Sequence, residues 1–365
     1  MILQEVGVEY GEMNVLEYLY FISLSGQRRV SMKNRKKLPC RVISIGNITV
    51  GGTGKTPATI AVAEEAKKRG FKPVILTRGY KGTAQGACFV SEGDGPLLSA
   101  SQAGDEPFLM AERLRGVPIV KGPDRYTSGM FALRALGMEQ GAGAVGQKVQ
   151  RREGSVLGLE PLVLSQILFI LDDGFQHWKL HRDKDIVLID AGNPFGNGKL
   201  LPSGRLREPL TALKRADVIV ITKSDREDSG LIAEVRKYNL HAPVFFSGHR
   251  AVSISLPSGE QQQPAWLQGK RVYCFCGLAD PGSFRHTVAA TGAEIAGMKI
   301  YPDHYPYAQQ DIAAIMKECG SSGARWAVTT GKDMAKIRDL DLPGNIIIIE
   351  VAFTADQPFF DSVFA

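Results

Sequence analysis

From residue 41 onward, short apolar runs alternate with stretches whose apolar residues recur at helical spacing. Residues 41–46, 73–77, 167–171, 186–189 and 218–222 are dominated by Val, Ile, Leu and Phe with little polar alternation, and 117–120 is a shorter run of the same kind. A strand that is apolar on both sides must be covered on both faces, so these runs predict a mostly parallel sheet flanked by helices. Between them, residues 57–69 read as a helix with Pro57 in its first turn, where a missing N–H costs nothing. A second helix is predicted to open near Gly104 and run through Arg113.

The pattern weakens between residues 136 and 165, where glycines and a charged cluster predict a surface excursion inserted before a core strand. The polar, proline-bounded stretch 257–264 reads as a linker. Beyond it, 271–275, 326–330 and 346–351 look like strands, and Ile312, Ile315, Met316 and Cys319 have i, i+3, i+4, i+7 spacing. The expected organisation is an N-terminal segment over 1–40, a main α/β domain over 41–256 and a smaller C-terminal α/β domain over 265–365.

Composition changes little in this picture. The chain has 365 residues, of which 44% are hydrophobic and 22% charged, enough for one large domain and a smaller one. Its five cysteines are scattered without zinc-ligand spacing, as in a reduced, cytosolic protein. No secretory signal is visible, and no run reaches the roughly 18–20 apolar residues of a spanning helix. Residues 15–24 are apolar and aromatic but too short to span, and Arg28, Arg29, Lys33, Arg35, Lys36 and Lys37 follow them. Such a segment either lies on an anionic membrane or packs on the domain beside a solvated basic loop. Lys and Arg outnumber Asp and Glu by 44 to 38, which suits a phosphate, a nucleic acid or an acidic lipid surface without choosing among them.

The strongest chemical signal is Gly46-Asn-Ile-Thr-Val-Gly-Gly-Thr-Gly-Lys-Thr-Pro57, lying between a predicted strand and a predicted helix. Glycines at a helix N-terminus let backbone N–H groups wrap a polyphosphate, so Thr49, Val50, Gly51, Gly52, Thr53, Gly54, Lys55 and Thr56 form the candidate nucleotide loop. Lys55 would reach the β- and γ-phosphates and Thr56 would ligate Mg²⁺. Thr49 stands where the usual motif has its first Gly, so the loop is a variant of the P-loop pattern. The fold expected is accordingly a P-loop NTPase-type sheet.

Such a loop needs an acidic partner on a neighbouring strand. The run 167–171 ends in Asp172 and Asp173, two adjacent carboxylates that repel unless a cation is near, although an Asp-Asp-Gly turn would look the same. Asp105, in Gly104-Asp-Glu-Pro107, reads by position as a helix N-cap, and a carboxylate there could also take a proton from an attacking hydroxyl. His304, between Asp303 and Tyr305, is a candidate acid–base or gripping residue, or a structural histidine. Thr222-Lys-Ser-Asp225 departs from the Asn-Lys-x-Asp guanine reader at its first residue, which leaves the base open.

Together these segments resemble the tetraacyldisaccharide 4′-kinase family of lipid A biosynthesis. The glycine loop, Thr77-Arg-Gly-Tyr80, Gly104-Asp-Glu-Pro107, Asp172-Asp-Gly-Phe-Gln-His177, Pro202-Ser-Gly-Arg-Leu-Arg-Glu-Pro209, Thr222-Lys-Ser-Asp225 and Pro302-Asp-His304 come in the family's order. The resemblance implies ATP-dependent, Mg²⁺-assisted phosphorylation of the 4′-hydroxyl of a tetraacylated glucosamine disaccharide 1-phosphate, on the cytoplasmic face of the bacterial inner membrane. It implies an anionic membrane surface as partner, no nucleic acid, and nothing about oligomeric state.

Residue by residue, the resemblance makes Lys55 and Thr56 the ATP and Mg²⁺ ligands and Asp105 the general base, with His304 as its partner. Asp172 and Asp173 become metal or acid-network residues. Arg78 and Tyr80 line the site, with Gln176 and Arg207 beside them, and the N-terminal helix becomes a peripheral lipid-surface dock. Tyr305 stands where many relatives carry a second His. The rival expectation, a nucleotide switch without a small-molecule substrate, is weakened by Val50, where a membrane-partitioning ATPase carries a Lys.

Overall fold

The computed structural model describes residues 13–137 and 164–365. Most of the stretch expected as a surface excursion, residues 138–163, therefore lies outside the described residues. The strands are β1 (Arg41–Asn47), β2 (Lys72–Thr77), β3 (Cys88–Ser91), β4 (Ile119–Lys121), β5 (Ile167–Asp172), β6 (Lys184–Asp190), β7 (Val218–Thr222), β8 (Val244–Ser255), β9 (Gln261–Gln262), β10 (Arg271–Cys276), β11 (Glu294–Ile300), β12 (Trp326–Thr330) and β13 (Ile346–Thr354). The α-helices are α1 (Val15–Lys33), α2 (Lys55–Lys68), α3 (Ala100–Ala103), α4 (Asp105–Arg113), α5 (Arg125–Ala135), α6 (Ser229–Arg236), α7 (Pro281–Ala289), α8 (Gln309–Ser321), α9 (Gly331–Ile337) and α10 (Gln357–Phe364).

One mixed sheet runs in the order β11-β10-β12-β13-β8-β7-β6-β1-β5-β2-β4-β3, with β9 paired to β8. Its loop-bearing half is parallel except for the edge strand β3, and β1 lies between β5 and β6. The apolar runs sit where both faces are covered. Ile43, Ile45 and Ile170 pack under α2 and α10, whereas Val42, Phe169 and Leu171 pack under α5. The sequence pattern missed β3 and β11 at the two edges, the two-residue β9, and β8, whose half-buried, polar-interrupted residues give no continuous apolar run.

β8 joins the two halves. Its first residues pair in parallel with β7 and its remainder pairs antiparallel with β13, so the sheet continues without a break. The polar stretch 257–264 makes the return to β9 and a short 3₁₀ turn. α10 comes back to the first half, where Phe359 and Phe364 join the core beneath α2 and Arg41 donates to the carbonyls of Phe364 and Ala365, both at 2.8 Å.

α1 is capped by Asn14, whose side chain accepts from Glu17 N. Phe21 enters the core beside Phe175 and Leu206, and Tyr20 Oη donates to the carbonyl of Arg207 at 2.9 Å. Val15, Leu16, Tyr18, Leu19 and Ile22 face solvent. Among the described residues no helix is long and apolar enough to cross a membrane.

Candidate active site

The site grows from the C-terminal ends of β1 and β5, adjacent parallel strands in which Ile45 is level with Asp172. After β1 the chain loops through Ile48–Gly54 and enters α2 at Lys55, two residues before Pro57. Gly54 caps α2 at φ +84°, a left-handed conformation that an L side chain strains to adopt. No side chain caps this helix end, so its first N–H groups remain available to an anion. The loop is braced from inside: Asn47 Nδ2 donates to Thr53 Oγ1 at 2.9 Å, and Thr222 Oγ1 donates to the Thr53 carbonyl at 3.0 Å. Thr49 is buried and bridges to Leu206, and Thr56 is buried in the first turn. Gly52 has Ala279 of the second half 4.0 Å from where a Cβ would stand.

Lys55 Nζ lies 3.3 Å from Asn47 Oδ1 and 3.7 Å from Asp173 Oδ1. Asp173 also receives Arg207 Nη1 at 2.9 Å on both carboxylate oxygens. Burial alone would raise its pKa, but the Lys55 and Arg207 charges outweigh that and hold it below the usual carboxylate value. Asp172 is the opposite case. It is buried, with Thr77 Oγ1 donating at 3.0 Å, and its pKa is pushed up to about 7 by burial and by the charges of Glu106 and Asp173. The two adjacent carboxylates are thus split in character, one held ionised and one poised near neutrality.

Asp105 and His304 come from different halves of the sheet and meet. His304 Nδ1 lies 2.9 Å from Asp105 Oδ2, and Lys336 Nζ stands 3.6 Å from the same oxygen. The N-cap of α4 is Gly104, without a side-chain cap bond, so Asp105 does not spend its carboxylate on capping. Burial pushes its pKa up, yet the His304 hydrogen bond and the Lys336 charge bring it below the ordinary value, so it stays an ionised acceptor. The neighbouring Glu106 is close enough to raise Asp172, which ties this pair to the acidic pair at β5. His304, Asp173 and Lys223 all have φ near +50 to +60°, a conformation non-glycine residues take at a cost of about 1–3 kcal/mol and hold chiefly at functional sites.

Tyr80 is exposed and packs edge-on against His304, ring centroids 5.8 Å apart. Arg78 lines a cavity of about 300 Å³ with Tyr80, Lys121 and Gly122. Gln176 ties the two sides of the loop, donating to the Asn47 carbonyl and to Glu208 Oε1, each at 2.9 Å. Lys223 is held by Asp190 at 2.6 Å and Asp280 at 2.5 Å, while Asp225 pairs with Arg250 at 3.1 Å, so neither acidic nor basic member of the Thr222–Asp225 motif is free.

Sequence reasoning missed three groups. Arg125, buried at the start of α5, donates to the carbonyls of Gly122 and Asp172, at 2.9 and 3.4 Å, and burial lowers its pKa to about 10. Lys336, on α9, places its ammonium 3.6 Å from Asp105. Glu208, buried and paired with Arg215 at 2.9 Å, anchors Gln176. Glu208 lies inside the Pro202–Pro209 string and could have been read from it. Arg125 and Lys336 have no local signal, because only the fold brings them to the acids.

A phosphate-sized loop with its lysine, an acidic pair on the next strand and a facing carboxylate–histidine pair make up the equipment of a kinase. The chain belongs to the tetraacyldisaccharide-1-P 4′-kinase family, whose model matches residues 13–365. A tetraacyldisaccharide 4′-kinase of Syntrophus aciditrophicus is 37% identical over 88% of this chain and 83% of its own length. That of Geobacter metallireducens is 38% identical over 83% of this chain and 80% of its own length. Among solved structures, LpxK from Aquifex aeolicus in complex with ATP superposes with a TM-score of 0.69 at 29% identity, covering 95% of this chain and 96% of that one.

Proposed function

We propose that this chain transfers the γ-phosphate of ATP to the 4′-hydroxyl of a tetraacylated glucosamine disaccharide 1-phosphate, a step of lipid A formation. The observation that carries this reading is the 2.9 Å contact between Asp105 and His304, 199 positions apart, next to Glu106, whose charge reaches Asp172 as that of Lys55 does. A sugar hydroxyl is a poor nucleophile and needs a base within hydrogen-bond reach. Asp105, kept ionised by His304 and Lys336, accepts its proton, and His304 orients the carboxylate. Lys55 and the α2 N-terminus draw charge from the phosphates, in the manner of a P-loop NTPase.

The oxygen donors at β5 suit a hard divalent cation, since Mg²⁺ is commonly held by one or two carboxylates plus substrate phosphates. Asp172, raised towards 7 by burial and like charge, is a carboxylate that a cation would return to its ionised form. Asp172, Asp173 and Thr56 would hold Mg²⁺, which when bound neutralises charge on the transferring group. Arg207 keeps Asp173 in place, Gln176 holds the loop to Glu208, and Arg78 and Tyr80 line the acceptor side. Residues 265–365 act as the part that carries His304 to the base supplied by residues 41–256.

α1 is the lipid-surface dock. Its outward Val15, Leu16, Leu19 and Ile22 offer apolar contact, with the basic residues 28–37 beside an anionic headgroup layer. That assignment makes the protein peripheral, at the cytoplasmic face of the inner membrane. The test of the whole reading is a transfer assay with γ-labelled ATP, Mg²⁺ and detergent-dispersed tetraacyl disaccharide 1-phosphate. Label on the lipid is expected; label released only as free phosphate would leave a nucleotide hydrolase instead.

A further inference from the structure

Arg205 stands outside the groups described so far. It lies on the segment between β6 and β7 that crosses the mouth of the loop, and its main chain is pinned there. Val50 N donates to the Arg205 carbonyl at 2.7 Å, and the next residue, Leu206, bridges antiparallel to Thr49. The guanidinium folds over the loop, with Nε and Nη2 donating to the Val50 carbonyl at 3.2 and 3.1 Å. Nη2 fills the space that a Cβ on Gly51 would need, so this packing requires a glycine, which adopts φ +122°.

The electrostatics of this group are unusual. No ion pair to Arg205 forms among the described residues, and its charge is one of those that hold down the pKa of Asp280. Its described bonds go to one neutral carbonyl, although a guanidinium carries five N–H donors matched to phosphate oxygens. The guanidinium lies over Val50 and Gly51 of the candidate nucleotide loop itself, two residues ahead of Arg207, whose own guanidinium holds Asp173.

We propose that Arg205 is a phosphate ligand for the transfer step, leaving the Val50 carbonyl to take oxygens of the γ-phosphoryl group once ATP is bound. The proposal rests on the kinase reading above. In the step it serves, the acceptor oxygen bonds to the γ-phosphorus while the bond from that phosphorus to the β–γ bridging oxygen breaks. The electron pair leaves with ADP, and the hydroxyl proton passes to Asp105. Arg205 neutralises charge on the γ-oxygens and on the leaving oxygen. Arginines so placed are worth about 10³–10⁵ in kcat where they act as the principal added cation. Here Lys55 shares the charge, so a loss of about 100-fold is expected.

The experiment compares Arg205→Ala and Arg205→Lys with the wild-type full chain. It measures kcat for transfer to the tetraacyl disaccharide 1-phosphate, and separately the affinities for ADP and for a non-hydrolysable ATP analogue. For Arg205→Ala the expected result is a fall in kcat of about 100-fold and a loss of about tenfold in the analogue-to-ADP affinity ratio. Arg205→Lys recovers only part of each, and added guanidinium ion restores part of the Ala variant's rate. A residue that merely braces Val50 would weaken both nucleotides equally and give no rescue. That pattern, or a kcat within about threefold of wild type, overturns the proposal. If the Ala variant does not fold, Arg205→Met keeps the aliphatic stem and carries the same comparison. Absence of transfer by the wild type would sink the kinase reading, whereas the analogue-to-ADP ratio tests Arg205 without the lipid.

Discussion

Asp172→Asn isolates the buried carboxylate at the end of β5. Asp172 is 3% exposed, accepts from Thr77 and lies beside Asp173, and its pKa is raised from 3.8 to about 7. A carboxyl whose folded pKa is raised binds more protons folded than unfolded across that interval. Its contribution is fully present below the unfolded value and is lost as pH rises from about 4 to about 7. Three units at 1.36 kcal/mol each give a penalty of about 4 kcal/mol at neutral pH in the absence of cation and nucleotide. His177 and His249, both lowered to about 4 by burial, contribute with the opposite slope in the same window, so wild type alone would hide the effect.

The difference between wild type and Asp172→Asn removes those histidine contributions. Chemical denaturation in EDTA should give similar stabilities near pH 4. The variant should gain progressively until it is more stable by about 4 kcal/mol near pH 8. Adding Mg²⁺ and ATP should reverse the order, because only the wild type has an ionised carboxylate to offer the cation. Parallel stability curves for the two proteins, offset by a constant at every pH, would refute the reasoning.

Asp105→Ala should retain ATP binding by calorimetry while kcat falls by about 10²–10⁴, the usual range for a lost general base. Lys55→Ala should weaken ATP binding and transfer together, checked by the same titration and assay. Tyr20→Phe removes the hydroxyl that donates to the Arg207 carbonyl and should cost about 0.5–1.5 kcal/mol of stability by denaturation. Leu16→Asp with Leu19→Asp, on the exposed face of α1, should abolish flotation with anionic vesicles and leave ADP affinity unchanged.

Local sequence determined the parts of this protein whose physics is local. The apolar runs at 41–46, 167–171 and 218–222 are strands because residues apolar on both faces must be buried on both. The loop before Lys55 is legible because backbone wrapping of a phosphate demands glycines at fixed places, whatever lies elsewhere. The acidic pair was visible for a similar reason, since it ends a strand. Tertiary structure decided what depends on distance through space. By position Asp105 reads as a helix cap, and it meets His304 only because β8 joins the two halves of the sheet and brings His304 opposite it. Asp172 and Asp173 are alike in sequence, yet burial beside Glu106 raises one while Lys55 and Arg207 hold the other down. Arg125 and Lys336 carry no local mark at all, and Arg205, though inside the Pro202–Pro209 string, shows its contact with the loop only in the fold. A charge acquires its role from the field of its neighbours, and those neighbours are chosen by the fold.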